Sequence, residues 1–293
     1  MRSSARYGRR AAATACRDWP TEAPISESMG IKVTVDRESV EVSTVAGAVV
    51  VAAVAPMLAE PHVSSGQVSQ QLAGHVVSIV EDQGDWQLVR GRDDYEGWMH
   101  RGYLDRSTPA GEGGSDRVSL GCIVRSDGGA RRALPLRARL APGDRLESGE
   151  ILRDADLRDR FPTTADAIGR TAVDRFVGTS YQWGGITPWG ADCSGLVQSV
   201  FALHGVSLPR DAWQQARAGD DAGRDILAAR AADLLFFSDR PDAHVTHVAI
   251  ALGDWRVVHL ALGRGGYAVE RLDDEGEYVK KLKSRFLFAR TVL

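Results

Sequence analysis

A chain of 293 residues exceeds one ordinary domain and has room for two or three. A net charge of −3 with a pI near 6.2 leaves no electrostatic footprint for nucleic acid or an anionic membrane surface. Hydrophobic content of 43% is normal for a soluble globular protein, and three scattered cysteines, Cys16, Cys122 and Cys193, form no disulfide framework. Such cysteine use fits a reducing compartment, where a reactive thiol also survives.

Residues 1–40 open with Arg2, Arg6, Arg9 and Arg10, like the start of a secretory signal. Ala11 to Ala15 are small rather than strongly apolar, and Arg17-Asp18 follow at once, so no adequate apolar core is present. The stretch reads as a flexible tail, and the chain is expected in the cytoplasm. Val45 to Leu58 is strongly apolar but too short to span a bilayer, and reads as a buried strand. Strand signals then recur: Gly74 to Val80, a turn at Asp82-Gln83-Gly84-Asp85, Trp86 to Arg90, and a turn and strand over Asp93 to Met99. Their spacing predicts a small barrel over 41–107. Pro109 to Ser115 has the composition of a linker. Arg117 to Arg125, a Ser126-Asp127-Gly128-Gly129 turn, Arg131 to Leu140 and an Ala141-Pro142-Gly143-Asp144 turn predict a second small barrel over 116–160. Thr163 or Thr164 caps a helix whose apolar face is Ala167, Ile168, Ala172, Val173 and Phe176; it begins a last domain over 163–293.

In that domain Asp192-Cys193-Ser194-Gly195 precedes Leu196, Val197, Val200 and Phe201 at helical spacing, with Gly205 as a stop. Asp192 is a good N-cap and sets Cys193 in the first turn, where unpaired N–H groups and the helix dipole favour thiolate. A buried cysteine that merely packs a helix would look the same in isolation. Downstream, His247 and His259 lie in two strand-like runs joined near Gly253-Asp254. Strand parity decides whether they meet. A three-residue loop, Leu252-Gly253-Asp254, pairs residue 247 with 259 and sets both imidazoles on one sheet face, with Gly253 or Asp254 left-handed. Small Ala249 and Ala251 on that face would leave room for the Cys193 helix, with Val248, Ile250, Leu252, Val258 and Leu260 on the other. The chemistry that follows is nucleophilic: Cys193 attacks a carbonyl, His247 shares its proton and His259 orients His247. Zinc is the rival use of one cysteine and two histidines. It wants close ligand spacing and a fourth ligand or open position, and no CxxC is present, so neither metal nor cofactor is expected.

Tyr181-Gln182-Trp183-Gly184-Gly185, Asp192 to Gln198, Leu208-Pro209-Arg210-Asp211-Ala212, Asp233 to Ser238, His247-Val248-Ala249-Ile250 and His259 occur in an order that closely resembles the NlpC/P60 cysteine peptidases, which cut peptides of bacterial cell walls. Tyr95-Glu96-Gly97-Trp98 resembles the bacterial SH3-like domain. The resemblance implies an α+β fold: a papain-like catalytic domain preceded by one or two SH3-like barrels. It places His259 where papain-like enzymes use Asn or Asp. Two barrels before such a domain look like the γ-D-glutamyl-L-diamino-acid endopeptidases, in which the first barrel walls off the groove and demands a free N-terminal L-alanine. The implied substrate is a murein-derived peptide cut before meso-diaminopimelate or lysine by a monomer, with no nucleic acid or membrane partner. Glu60 and Tyr95 are then candidates for the substrate ammonium group, and Tyr181 and Trp183 for the groove lining. Asp192 and Ser194 would hold the L-Ala-D-Glu part. Arg210, with Asp211 beside it, would hold the free α-carboxylate; its bland reading is a surface ion pair with Asp211 or a nearby acid. The family often carries Ser where this chain has Ala212, which removes one substrate hydrogen bond. A non-catalytic wall-peptide binder and a cysteine acyltransferase or amidase stand as alternatives.

Overall fold

A computed structural model describes residues 47–107 and 115–293. The expected tail, Cys16, the first residues of the first barrel and most of the linker lie outside the described residues.

The first barrel is a seven-stranded antiparallel sheet built from Gly47–Val50, Val54–Leu58, Gln67–Leu72, Val76–Gln83, Trp86–Arg90, Glu96–His100 and Leu104–Asp105. The apolar run read as one strand is two, broken between Val50 and Val54. Its inward residues Ala48, Val50, Ala55 and Met57 join Val77, Val89 and Met99 in one buried cluster. Alternation is the cause: every second residue faces in, and each large side chain so buried contributes about 1.5–3 kcal/mol.

Arg117–Arg125, Arg131–Arg139 and Arg145–Arg153 follow as a three-stranded antiparallel sheet with Arg117–Arg125 in the middle, where the sequence suggests a second barrel. Leu134, Ala138 and Leu140 pack with Leu72 and Ala73 of the first barrel, while Leu120 and Leu136 join the core of the last domain. This sheet therefore wedges between the two.

The last domain is a six-stranded antiparallel sheet in the order Asp220–Gly223, Phe286–Thr291, Leu234–Phe237, His247–Gly253, Arg256–Ala261, Gly266–Arg271. Helices Ala165–Phe176 and Cys193–Leu203 cover one face. Their Ile168, Phe176, Leu196, Val197 and Val200 meet Val248, Ile250, Val258 and Leu260, all nearly inaccessible to solvent. The short helix Glu277–Ser284 covers the other face, where Leu282 meets Ala249, Ala251 and Val257. The Cys193 helix thus packs on the branched face of the histidine strand and not on the alanine face. Branched side chains fill the space under a long helix, whereas the small alanines accommodate the shorter one.

Candidate active site

Asp192 begins the central helix as its sequence suggests: Oδ1 accepts from Gly195 N at 2.7 Å, an N-cap that fixes Cys193 as the first helical residue. The approach is tight. A Cβ on Gly195 would stand 2.0 Å from the Gly185 carbonyl oxygen, so only glycine lets the preceding loop close over the helix start. That loop is held from the other side by Gly184 N, which donates to Asp192 Oδ2 at 2.8 Å.

The two histidines share a sheet face, but by another turn than the sequence suggests. Asp254 and Trp255 are both left-handed (φ 49° and 58°), forming a two-residue turn that pairs Gly253 with Arg256. A bulge then shifts the register, so that Ala251 pairs with Val257 and Ile250 with Val258. A two-residue turn alone would have put the imidazoles on opposite faces; the extra residue of the bulge restores the parity. Continuing the register sets Ala249, not His247, opposite His259, and His247 reaches it diagonally. His247 Nε2 lies 2.8 Å from His259 Nδ1, and His259 is wholly buried.

The Cys193 sulfur takes a backbone hydrogen bond from Val248, the residue after His247. The thiol therefore sits at the start of the strand that carries His247. His247 turns Nε2 to His259, which leaves Nδ1 for other partners. Burial pushes the Cys193 thiol up to about 12, helped by the Asp192 charge and opposed by the Val248 and Ser194 N–H groups and Arg210. Burial pushes His247 down to about 3, with the charges of His259 and Arg285 adding to the effect. The helix terminus thus does not prevail as the sequence reading expects: desolvation outweighs it, and the resting pair is neutral thiol and neutral imidazole. A neutral imidazole is the form that can accept a proton, so transfer accompanies attack. The N–H groups of the first helical turn lack intrahelical acceptors and suit a developing oxyanion.

Beneath this line lies a buried ionic cluster. Arg210 is 1% exposed and donates to Asp192 Oδ1 and Oδ2 at 3.0 and 2.7 Å, to Ser194 Oγ at 2.9 Å, to Ser69 Oγ at 3.2 Å and to Gly185 O at 3.4 Å. The sequence reading gave this guanidinium to a substrate carboxylate. The structure spends it on Asp192, because an N-cap carboxylate buried at the helix start needs a charged partner more than it can wait for one. Asp192 and Ser194 are buried and bonded to it in turn. All three hold up the nucleophile's helix.

The barrel closes one end of the site. Tyr95 OH donates to Asp211 Oδ1 at 3.4 Å, Gln67 Nε2 to Trp183 O at 2.9 Å, and Gln198 Nε2 to Asp93 Oδ2 at 2.8 Å. Ile186 N donates to Gln70 Oε1 at 3.1 Å. Burial raises the Asp211 carboxyl despite neighbouring Arg210, and burial with the Asp211 charge raises the Tyr95 phenol. Trp183 is 68% exposed and Tyr181 half-buried. Glu60 stands apart: its exposed carboxylate pairs with His62 at 3.0 Å within its own loop. A cavity of about 470 Å³ lies on another flank of the central helix, against Gln198, Ala202 and Leu203, and does not include Cys193. No cluster of metal-ligating side chains occurs among the described residues.

One acidic residue escaped the sequence reading. Glu270 lies on the strand after His259, whose register sets Ala268 opposite His259 and Glu270 opposite Val257, on the histidine face. The strand's alternation was the available signal.

The family model described as the NlpC/P60 family matches residues 178–285, and that of the bacterial SH3 domain matches 54–105. A gamma-D-glutamyl-L-lysine dipeptidyl-peptidase of Bacillus subtilis (strain 168) is 32% identical over 213 residues, covering 65% of this chain and 71% of that protein. Dipeptidyl-peptidase 6 of Lysinibacillus sphaericus is 28% identical over 267 residues, covering 78% and 92%. A crystal structure of an NlpC/P60 family protein from Bacillus cereus superposes with a TM-score of 0.69 over 84% of this chain and 99% of that one, at 21% identity, which shows a common fold. With these matches over a cysteine at a helix start and two facing histidines, the chain belongs to the NlpC/P60 family.

Proposed function

We infer that this chain is a cysteine peptidase that cuts murein peptides between γ-linked D-glutamate and the diamino acid that follows. The observation that carries the reading is the His247–His259 hydrogen bond beside Val248, whose N–H reaches the Cys193 sulfur, in a chain similar to gamma-D-glutamyl-L-lysine dipeptidyl-peptidases. Cys193 attacks the γ-carbonyl as its proton passes to His247 Nδ1, and first-turn N–H groups receive the oxyanion. The C–N bond then breaks, the His247 proton goes to the departing amine, and water hydrolyses the thioester.

The barrel supports a finer reading, a demand for a free N-terminus. Tyr95 and Asp211 put a phenol and a carboxylate together at the barrel end of the groove, the pair that an ammonium group needs. Such a requirement suits short peptides already released from the wall and a monomeric enzyme acting on them in the cytoplasm. The test is hydrolysis of L-Ala-γ-D-Glu-meso-diaminopimelate beside its N-acetylated twin, read by mass spectrometry. Release of L-Ala-D-Glu from the free peptide alone is expected. Equal cleavage of both would refute the free-terminus reading, and cleavage of neither would refute the peptidase assignment.

A further inference from the structure

His259 leaves one ring nitrogen over. Its Nδ1 faces His247, while its Nε2 is buried with no partner at hydrogen-bond distance. A carboxylate oxygen, Glu270 Oε1, stands 3.7 Å from that Nε2. Glu270 is itself buried, and it is pinned. Arg264 Nε donates to Oε1 at 2.7 Å and Nη2 to Oε2 at 2.9 Å, and the Arg264 guanidinium lies 3.9 Å over the Tyr278 ring. The Tyr278 ring also meets His259 edge-on, at 6.1 Å between centroids.

We propose that Glu270 is a positioning residue of the catalytic line, selecting the His259 tautomer with its proton on Nε2. The proposal rests on the assignment of Cys193, His247 and His259 as the reacting residues. One proton lies between two imidazoles in contact, and its owner decides the chemistry. With the His259 proton on Nε2, facing Glu270, its Nδ1 is an acceptor. His247 then carries its own proton on Nε2, and its Nδ1 lone pair is free for the Cys193 proton. With the His259 proton on Nδ1, His247 must accept at Nε2 and carry its proton on Nδ1, where it can take nothing from the thiol. A carboxylate on the Nε2 side of His259 stabilises the first arrangement and disfavours the second. During attack the Cys193 proton moves to His247 Nδ1 and the sulfur electron pair forms the C–S bond. The imidazolium keeps its Nε2–H on His259, with the Glu270 charge beyond it; no proton leaves the histidine pair. Burial alone would raise the Glu270 carboxyl, but His259 and Arg264 outweigh it and hold it below its ordinary value, so the charge persists. Besides Glu270, the groups Arg264, Tyr278 and Arg285 bear on the pair.

The test compares wild type with Glu270→Gln and Glu270→Asp. Two readouts are used: peptide turnover, and alkylation of Cys193 by iodoacetamide followed by peptide mass spectrometry, with Cys122 as internal control. Alkylation needs no murein peptide, so it stands even where the assigned substrate is wrong. Glu270→Gln is expected to lower kcat by roughly 10–100-fold with KM within about twofold, the size typical when the outer partner of a functional imidazole is lost. Cys193 alkylation should slow in parallel while Cys122 is unchanged, and Glu270→Asp should recover part of both. Alkylation of Cys193 at the wild-type rate in Glu270→Gln would overturn the proposal. Should Glu270→Gln not fold, long-range ¹H–¹⁵N correlation on the unmodified protein reads the tautomer directly. A proton on His259 Nε2 supports the proposal, and one on Nδ1 overturns it.

Discussion

Arg210→Ala separates a structural pillar from a substrate ligand. The guanidinium is 1% exposed, and its removal takes two hydrogen bonds from Asp192, one each from Ser194 and Ser69, and the contact with Gly185 O. Asp192, itself 5% exposed, keeps Gly184 N, Gly195 N and Ser194 Oγ but loses its charged partner. Breaking a buried pair by deleting one member costs about 3–5 kcal/mol, because the survivor is left charged and poorly solvated. In a folded body of this size each kcal/mol moves Tm by about 2–4 °C, so a fall of roughly 6–20 °C is expected. A thermal melt at pH 7 measures that fall and urea denaturation the free energy, with Arg90→Ala as control. Arg90 and its partner Glu96 are exposed, so that variant should lose no more than about 1 kcal/mol. Arg210→Lys restores a point charge without the fork and should fall between. A loss under about 1 kcal/mol in Arg210→Ala, together with a raised KM and unchanged kcat, would refute the pillar and return the residue to the substrate.

Cys193→Ala should cut turnover by about 10³-fold or more while peptide binding by calorimetry persists; activity in a pure sample would remove this residue as nucleophile. Tyr95→Phe should raise KM for the free peptide about fivefold, the worth of one hydrogen bond of about 1 kcal/mol, with no change in Tm beyond a few degrees; an unchanged KM would separate the barrel from substrate recognition. Acid should destabilise the fold through its buried imidazoles. His75 and His247 both sit at about 3 in the folded protein against 6.5 when exposed, so between those values the unfolded chain binds more protons. Stability is therefore complete above pH 6.5 and is lost as pH falls toward 3. Between pH 7 and pH 5 each imidazole accounts for about 2 kcal/mol. Replacing His75 by Gln should flatten that dependence in urea titrations; parallel curves for the two proteins would contradict it.

Features set by neighbours in the chain were the ones legible in advance. Thr164 caps Ala165–Phe176 and Asp192 caps Cys193–Leu203, because a cap is an interaction over three residues. Trp86–Arg90 and Arg117–Arg125 are strands as read, since alternation and flanking turns define them locally. The shared face of His247 and His259 followed from parity, but the turn did not. Left-handed Trp255 is an uncommon choice for a bulky residue, and the bulge answers to the register of the whole sheet. The helix was assigned to the alanine face because small residues suggest room; which helix uses the room depends on layer order. The fate of Arg210 was hidden for a further reason. Its partners Ser69, Gly185, Asp192 and Ser194 come from three separate stretches, and burial alone decides that it serves them. Glu270 was missed because its distance from His259 along the chain conceals their adjacency across strands.

The bulge between the histidines restricts how this hairpin can change length. Each residue added or removed between His247 and His259 turns one imidazole away from the other, unless a bulge is gained or lost with it. Single-residue insertions and deletions here should therefore be silenced far more often than paired ones, wherever in the hairpin they fall. A library of hairpin lengths screened for Cys193 reactivity would show the effect as an alternation between odd and even lengths, with the exceptions marking sequences that create or erase the bulge.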